Sequence, residues 1–333
     1  MRWGGRVSTV DAMSDTVQQP VTSHPELGAL PLARTAIDRG CERRTRAGWL
    51  DALRADPETR HLVMIGGRAR VLDGELVLLE GTQVPAGGTE IYLGSDGSTE
   101  IVLHSFAEAP ASADGAAGTA ATHPEQWLGL RDVAAGLGAR DAGLFVEAVA
   151  IANWNHTMNF CPGCGGKLDL RDSGWVKHCA AEDIEHFPRT DPAVIVAITD
   201  EDDRLLLGAN KAWGGTRFST LAGFVEPGES LESAVIREVA EESGVIVQNP
   251  RYMGSQPWPF PRSLMLGFTA TATGTELLPD GVEIIDLRWF TREELAAEVR
   301  SGAIGVPSGA SIASALIEHW FGGVLPEPER LEN

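Results

Sequence analysis

The stretch from Gly223 to Val245 constrains this chain more than any other. A Pro227-Gly228 turn opens it, Ser230 stands where a helix N-cap belongs, and Gly244 supplies the stop. The spacing therefore predicts a helix of about thirteen residues. Leu231, Ala234 and Val235 begin an apolar stripe on that helix. Continued by three- and four-residue steps, the stripe reaches Glu238, Glu241 and Glu242. At about 100° per residue, the three carboxylates fall in the sector that a core should occupy.

A solvated acidic face is the ordinary reading of helical glutamates. It fits poorly here, because like charges three and four residues apart repel one another and these lie on the inward stripe. A divalent cation removes the repulsion. Hard carboxylate oxygens suit Mg²⁺ or Mn²⁺, with water and phosphate completing the coordination shell.

The segment resembles the Nudix box, with Gly223, Glu229, Arg237, Glu238, Val239, Glu241, Glu242, Gly244 and Val245 in its fixed places. Resemblance to Nudix hydrolases implies a loop-helix-loop laid on an α/β/α sandwich with a mixed sheet. It also implies hydrolysis of a nucleoside diphosphate linked to another moiety. By that resemblance Glu238, Glu241 and Glu242 hold divalent ions together with the Ala222 carbonyl, while Arg237 pairs with Glu229 to fix the loop after Gly223. Metal ions bridging two phosphates stabilise developing charge and acidify water, and Glu241 or Glu283 is the base for that water. A nucleotide sensor that binds without cutting would lack one of these carboxylates, and none is missing.

Ten residues past the box lies Ser255-Gln256-Pro257-Trp258-Pro259-Phe260-Pro261-Arg262-Ser263. Three prolines and two aromatics in nine residues predict a stiff, exposed aromatic shelf rather than a central strand. Such faces stack on bases; the alternative is a rigid loop plugging a small core. The segment resembles the motif that marks the NADH pyrophosphatase subfamily, and with the box and a preceding cysteine ribbon the resemblance covers about residues 155 to 320. It implies cleavage of NADH or NAD⁺ at the central pyrophosphate, giving nicotinamide mononucleotide and AMP. Removal of NAD caps from RNA 5′ ends follows by the same cut. Carried over residue by residue, Gln256, Pro257, Trp258, Pro259, Phe260, Pro261, Arg262 and Ser263 line the nucleotide pocket. Phe187 and Phe224 stack on a substrate ring, Ala313 touches it from the last helix, Arg131 reaches it from the N-terminal region, and Glu283 completes the metal site. For Phe187 and Phe224 a place in the core is the competing reading. The subfamily also implies a homodimer.

Cys161-Pro-Gly-Cys164-Gly-Gly looks like a zinc knuckle, and fourteen residues separate Cys164 from Cys179, as in a ribbon. A second knuckle would place a cysteine three residues after Cys179, where Glu182 stands instead. Glu182 by position, or His178 or His186, is the candidate fourth ligand to Zn²⁺, and a ribbon without zinc is the remaining possibility. Redox catalysis by this pair lacks a thioredoxin-like βαβ context. Cys41 stands alone as a surface or semi-buried thiol.

Lys and Arg total 27 against 47 Asp and Glu in 333 residues, a formal charge of −20. So acidic a body repels phosphate backbones and anionic membranes, although a dimer could form a local basic groove around Arg131, Arg189 or Lys211. The longest apolar run, Ala193 to Ile198, is far below the ~20 residues of a membrane span, and Met1 to Pro20 lacks the apolar core of a secretory signal. The expectation is a cytoplasmic protein. Along the chain, 1–22 reads as a disordered tail and 23–150 as a degenerate β-rich domain with strands at 61–65, 75–79 and 100–103. Residues 107–122 have linker composition, and a helical pattern resumes from Gly143 to Thr157. The zinc-ribbon-like module spans 151–192, and the Nudix domain 193–325.

Overall fold

The computed structural model describes residues 27–109, 126–307 and 309–328. The expected tail, and 110–122 of the expected linker, lie outside them.

Tight turns build the first sheet. Strands β1 (Arg60–Ile65) and β2 (Arg68–Leu72) join through Gly66 and Gly67, both at positive φ. β2 turns into β3 (Glu75–Leu76) through Asp73 and Gly74, at φ of 51° and 82°, the left-handed pair that a two-residue hairpin favours. Four more strands follow: β4 (Leu78–Leu79), β5 (Thr89–Ser95), β6 (Glu100–Phe106) and β7 (Trp127–Gly129). Their order is β3-β2-β1-β6-β5, with β4 also on β1 and β7 on β2; β1 and β6 run parallel. After helices α1 (Trp49–Ala55) and α2 (Leu130–Val133), the long helix α3 (Ala139–Thr157) covers one face, burying Leu144, Phe145, Ala148, Ile151 and Ala152 with Leu62, Met64, Ile91 and Leu103. On the opposite face Leu53 of α1 packs with Tyr92 and Val102. Because α3 belongs to this core along its length, it runs across the domain border expected at residue 150.

Three short antiparallel strands form the ribbon, in the order β10 (Ile184–His186), β9 (Val176–Cys179), β8 (Asp169–Arg171). The third sheet contains β11 (Asp191–Thr199), β12 (Leu205–Asn210), β13 (Phe218–Ser219), β14 (Leu221–Phe224), β15 (Val247–Trp258), β16 (Ser263–Ala272) and β17 (Ile284–Phe290). Its order is β13-β12-β11-β16-β15, with β14 on β11, β17 on β12, and β11 parallel to β16. Strand for strand this repeats the first sheet.

Helix α4 (Leu231–Ser243) covers one face, and α5 (Arg292–Ser301) with α6 (Ile312–Phe321) covers the other, so the expected α/β/α sandwich with a mixed sheet is what forms. Ala234, Val235 and Val239 of α4 are fully buried, and each valine contributes roughly 1.5–3 kcal/mol of transfer free energy. Between β4 and β5 the first sheet carries a single short 3₁₀ turn at the place where the third sheet carries α4.

Candidate active site

Ser230 Oγ accepts the Ser233 N–H at 3.1 Å, and Gly244 closes α4 at φ 71°, so the helix has the bounds that its sequence predicts. Strand β14 brings Ala222, Gly223 and Phe224 alongside it. Gly223 is required by close approach: a β-carbon there would overlap the Glu238 carboxyl. Arg237 ties the loop together. Its Nε and Nη2 each donate to Glu229 at 2.9 Å, Nη2 also donates to the Phe224 carbonyl at 2.9 Å, and Nη1 lies 2.9 Å from Glu238 Oε1 and 3.0 Å from Glu241 Oε2. These contacts hold the guanidinium above its ordinary range, and Arg237 in turn holds the Glu229 carboxyl below its own.

The inward stripe holds for two of the three glutamates. Glu242 is 8% exposed, and the Glu238 side chain is 14% exposed. Glu241 is 61% exposed because Arg237, one turn earlier, draws it to the rim. Glu242 accepts the Ala222 N–H, but its buried Oε2 has no hydrogen-bond partner. Burial first, then the charges of Glu238 and Glu283, push its carboxyl up to about 8. Burial also raises Glu238, against the pull of Arg237.

A cleft of about 400 Å³ is bordered by Ala222, Gly223, Phe224, Glu238, Ser263 and Glu283. Glu283 reaches it from the segment before β17, held by a residue that the sequence reading missed. Asp280 Oδ1 accepts the N–H groups of Val282, Glu283 and Ile284 at 3.0, 3.2 and 2.9 Å, and the Glu283 carbonyl accepts from Lys211 N at 2.8 Å. An Asp-Gly pair ahead of a strand was the available signal. The residues fit a divalent cation: Glu238 and Glu283, hard oxygen donors, lie near enough to act on Glu242 by charge, and a buried Glu242 oxygen is left without a protein partner.

The proline-rich segment departs from an exposed shelf. Ser255 to Trp258 end β15, and Pro257 is tolerated because β15 lies at the sheet edge. Gln256 is fully buried; its Oε1 accepts Leu32 N at 3.3 Å and its Nε2 donates to the Ala310 carbonyl at 2.7 Å. Trp258 and Phe260 meet edge to face, half-buried against the N-terminal core, with the Arg131 guanidinium 5.2 Å and 4.0 Å from their ring centres. Asn153 of α3 donates to the carbonyls of Pro259 and Pro261 at 2.9 and 3.0 Å, a clamp with no sequence signature. Arg262 pairs with Asp191 at 2.7 Å. Ala313, in the first turn of α6, is buried in the core. Phe187 and Phe224 are 59% and 57% exposed, so neither is a core residue. Phe224 borders the cleft, whereas Phe187 follows the last ribbon strand.

In the ribbon, one ligand atom from each of Cys161, Cys164, Cys179 and Glu182 lies within 4.8 Å of the others. Cys161 Sγ is 3.0 Å from Glu182 Oε2, and Cys164 Sγ is 3.4 Å from Cys179 Sγ. Three sulfurs and a carboxylate oxygen at that spacing match a tetrahedral zinc site. His178 instead faces Asp183 at 3.0 Å.

The strand order, the carboxylate cleft and the ribbon together define a Nudix hydrolase. Residues 189–306 match the NUDIX domain model, and residues 156–187 match the model described as the NADH pyrophosphatase zinc ribbon domain. The chain belongs to the Nudix hydrolase family, in the branch that carries this ribbon. It is 36% identical over 314 residues to the NAD-capped RNA hydrolase NudC of Mycobacterium bovis, covering 89% of this chain and 96% of that protein. Against NudC of Stutzerimonas stutzeri it is 40% identical over 204 residues, 61% of this chain and 71% of the relative. Human NAD-capped RNA hydrolase NUDT12 is 41% identical over 194 residues, and there the match spans 42% of the relative's length.

Proposed function

We propose that this chain hydrolyses the central diphosphate of NADH or NAD⁺ to nicotinamide mononucleotide and AMP, and removes NAD caps from RNA 5′ ends by the same cut. The observation that carries this reading is the Glu242 carboxylate, buried with one oxygen unpartnered and repelled by Glu238 and Glu283, two carboxylates that border the cleft. The relatives named above, matched across the ribbon as well as the box, support the substrate class.

Glu238, Glu241, Glu242, Glu283 and the Ala222 carbonyl would hold Mg²⁺ or Mn²⁺ in this reading, with Glu241 reaching in from the solvent side. The bound ions supply Lewis acidity to the diphosphate and lower the pKa of an attacking water. Glu241, on the solvent side beside Arg237, or Glu283 takes the water proton. The water oxygen ends on one phosphate, and the bridging oxygen leaves with the other. Phe224 at the lip of the cleft stacks on a substrate ring, Phe187 offers a second face, and Ser263 borders the nucleotide. Gln256, Asn153 and Arg131 act through the segment that they hold.

Cys161, Cys164, Cys179 and Glu182 bind structural zinc. The chain divides into an N-terminal unit ending near residue 157, a ribbon and a Nudix domain, acts as a homodimer, and works in the cytoplasm. No helix among the described residues is long and apolar enough to cross a membrane. The test is purified protein with Mn²⁺ or Mg²⁺ on NADH, NAD⁺, ADP-ribose and a short NAD-capped RNA, with Glu241→Gln as control. Faster cleavage of ADP-ribose than of either dinucleotide would refute the substrate assignment.

A further inference from the structure

We infer that an arginine-lined track leading away from the metal cleft seats the single-stranded RNA that follows an NAD cap; this rests on the cap-removal reading above. The chain carries −20 overall, yet residues 34–70 hold nine arginines against five acidic residues, a local net of +4. Between this segment and the ribbon lies a groove of about 490 Å³, whose walls carry Trp49 and four arginines, Arg44, Arg46, Arg54 and Arg171, against two carboxylates, Asp51 and Asp172. Arg54 is spent on Asp51 and Glu90, and Arg44 lies flat over Trp175 with its guanidinium 3.5 Å from the ring centre. Arg46 and Arg171 are exposed and, among the described residues, have no carboxylate partner. Arg46 also sits 5.3 Å from the Trp49 ring centre, so a cation and an aromatic face are offered together.

The groove is not isolated from the chemistry. Trp175, paired with Arg44, borders a second cleft of about 300 Å³ that also presents Arg39, Arg189 and Arg262. Arg189 and Arg262 share one carboxylate, Asp191, and Arg39 pairs at 3.4 Å with the buried Glu147 that also borders the cleft, so three arginines face two carboxylates. Ser263 borders both this cleft and the metal cleft. The sequence of spaces is thus metal cleft, arginine cleft, Arg44–Trp175 stack, arginine groove.

A free dinucleotide has no use for the distant groove, whereas a polymer continuing from the cleaved cap does. Cations spaced along a groove with aromatic faces between them are what a single strand requires. An otherwise acidic surface repels the polymer elsewhere and confines it to this track.

The full-length chain with Arg46→Glu and Arg171→Glu together tests this. Cleavage of NADH should stay within about twofold of wild type, while kcat/KM on a short unstructured NAD-capped RNA falls about tenfold at low salt. The slope of log kcat/KM against log salt should flatten by about 1.4, since each of the two phosphates no longer neutralised accounts for about 0.7. The Arg46→Lys, Arg171→Lys protein should recover both. Fluorescence anisotropy of an uncapped single-stranded oligonucleotide gives a readout independent of turnover, and its binding should weaken in the glutamate variant alone. Equal losses on NADH and capped RNA, unchanged capped-RNA cleavage, or unchanged oligonucleotide binding would each overturn the assignment. A wild-type protein that cuts neither substrate would instead sink the parent reading.

Discussion

Replacing Glu242 by glutamine should stabilise the metal-free protein while destroying its activity, and the gain should depend on pH in a defined direction. The Glu242 carboxyl is held at about 8 against an ordinary 4.5, chiefly by burial and then by Glu238 and Glu283. Below pH 4.5 it is protonated both folded and unfolded, so the wild type loses nothing there. Between 4.5 and 8 the folded state keeps a proton that the unfolded chain releases, so wild-type stability falls as pH rises. Above 8 the deficit is constant. A difference of 8 − 4.5 at about 1.4 kcal/mol per unit makes it at most about 5 kcal/mol. Glutamine carries no charge, can accept the Ala222 N–H, and can point its amide at Glu238 and Glu283. Urea unfolding of wild type and Glu242→Gln in chelator at pH 5 and pH 9 isolates the effect, since other titrating groups cancel between the two proteins. The variant should gain little at pH 5 and several kcal/mol at pH 9. Mg²⁺ should stabilise the wild type far more than the variant, whose kcat falls on the order of a hundredfold or more. Equal differences at the two pH values, or a variant less stable than wild type at pH 9, would refute the account of Glu242 as a buried charge awaiting a cation.

Gly223→Ala should fold but displace the Glu238 carboxyl, costing about 1–3 kcal/mol of stability in denaturant unfolding and most of the kcat in the hydrolysis assay. Metal analysis should find about one zinc per chain; Glu182→Ala should lower zinc retention and Glu182→Cys should preserve it, as read by competition with a chromophoric chelator. Gln256→Ala leaves the buried Leu32 N–H and Ala310 carbonyl without partners, so unfolding should show a loss of about 2–4 kcal/mol.

The parts legible in the sequence are those fixed by local chemistry. Ser230 and Gly244 bound the helix where they should, because a cap and a left-handed stop act within one turn. The Cys161 and Cys164 knuckle reads itself in the same way, and Glu182 takes its place through position alone. What escaped depends on distant partners. Gln256 looks like a surface residue among prolines until Leu32 and Ala310, from far along the chain, close over it. Asn153 clamps the Pro259 turn from a helix whose periodicity announces only its apolar face. Glu241 shares the inward sector by arithmetic, yet the neighbouring guanidinium wins it for the rim. Strands β2 and β5 passed unnoticed because five to seven residues of mixed polarity carry little pattern of their own.

The two larger sheets have the same strand order, but between β4 and β5 only residues 80–88 intervene, whereas 225–246 intervene between β14 and β15. Glu238, Glu241 and Glu242 therefore all ride on one excursion from a scaffold whose twin has the same strand order without it. The inset is not separable from the body, however: the same helix lays Ala234, Val235 and Val239 over Val194, Val196 and Ile198, a face that the first sheet covers with Leu53 of α1 instead, so shortening the excursion would strip the carboxylates and bare the sheet together.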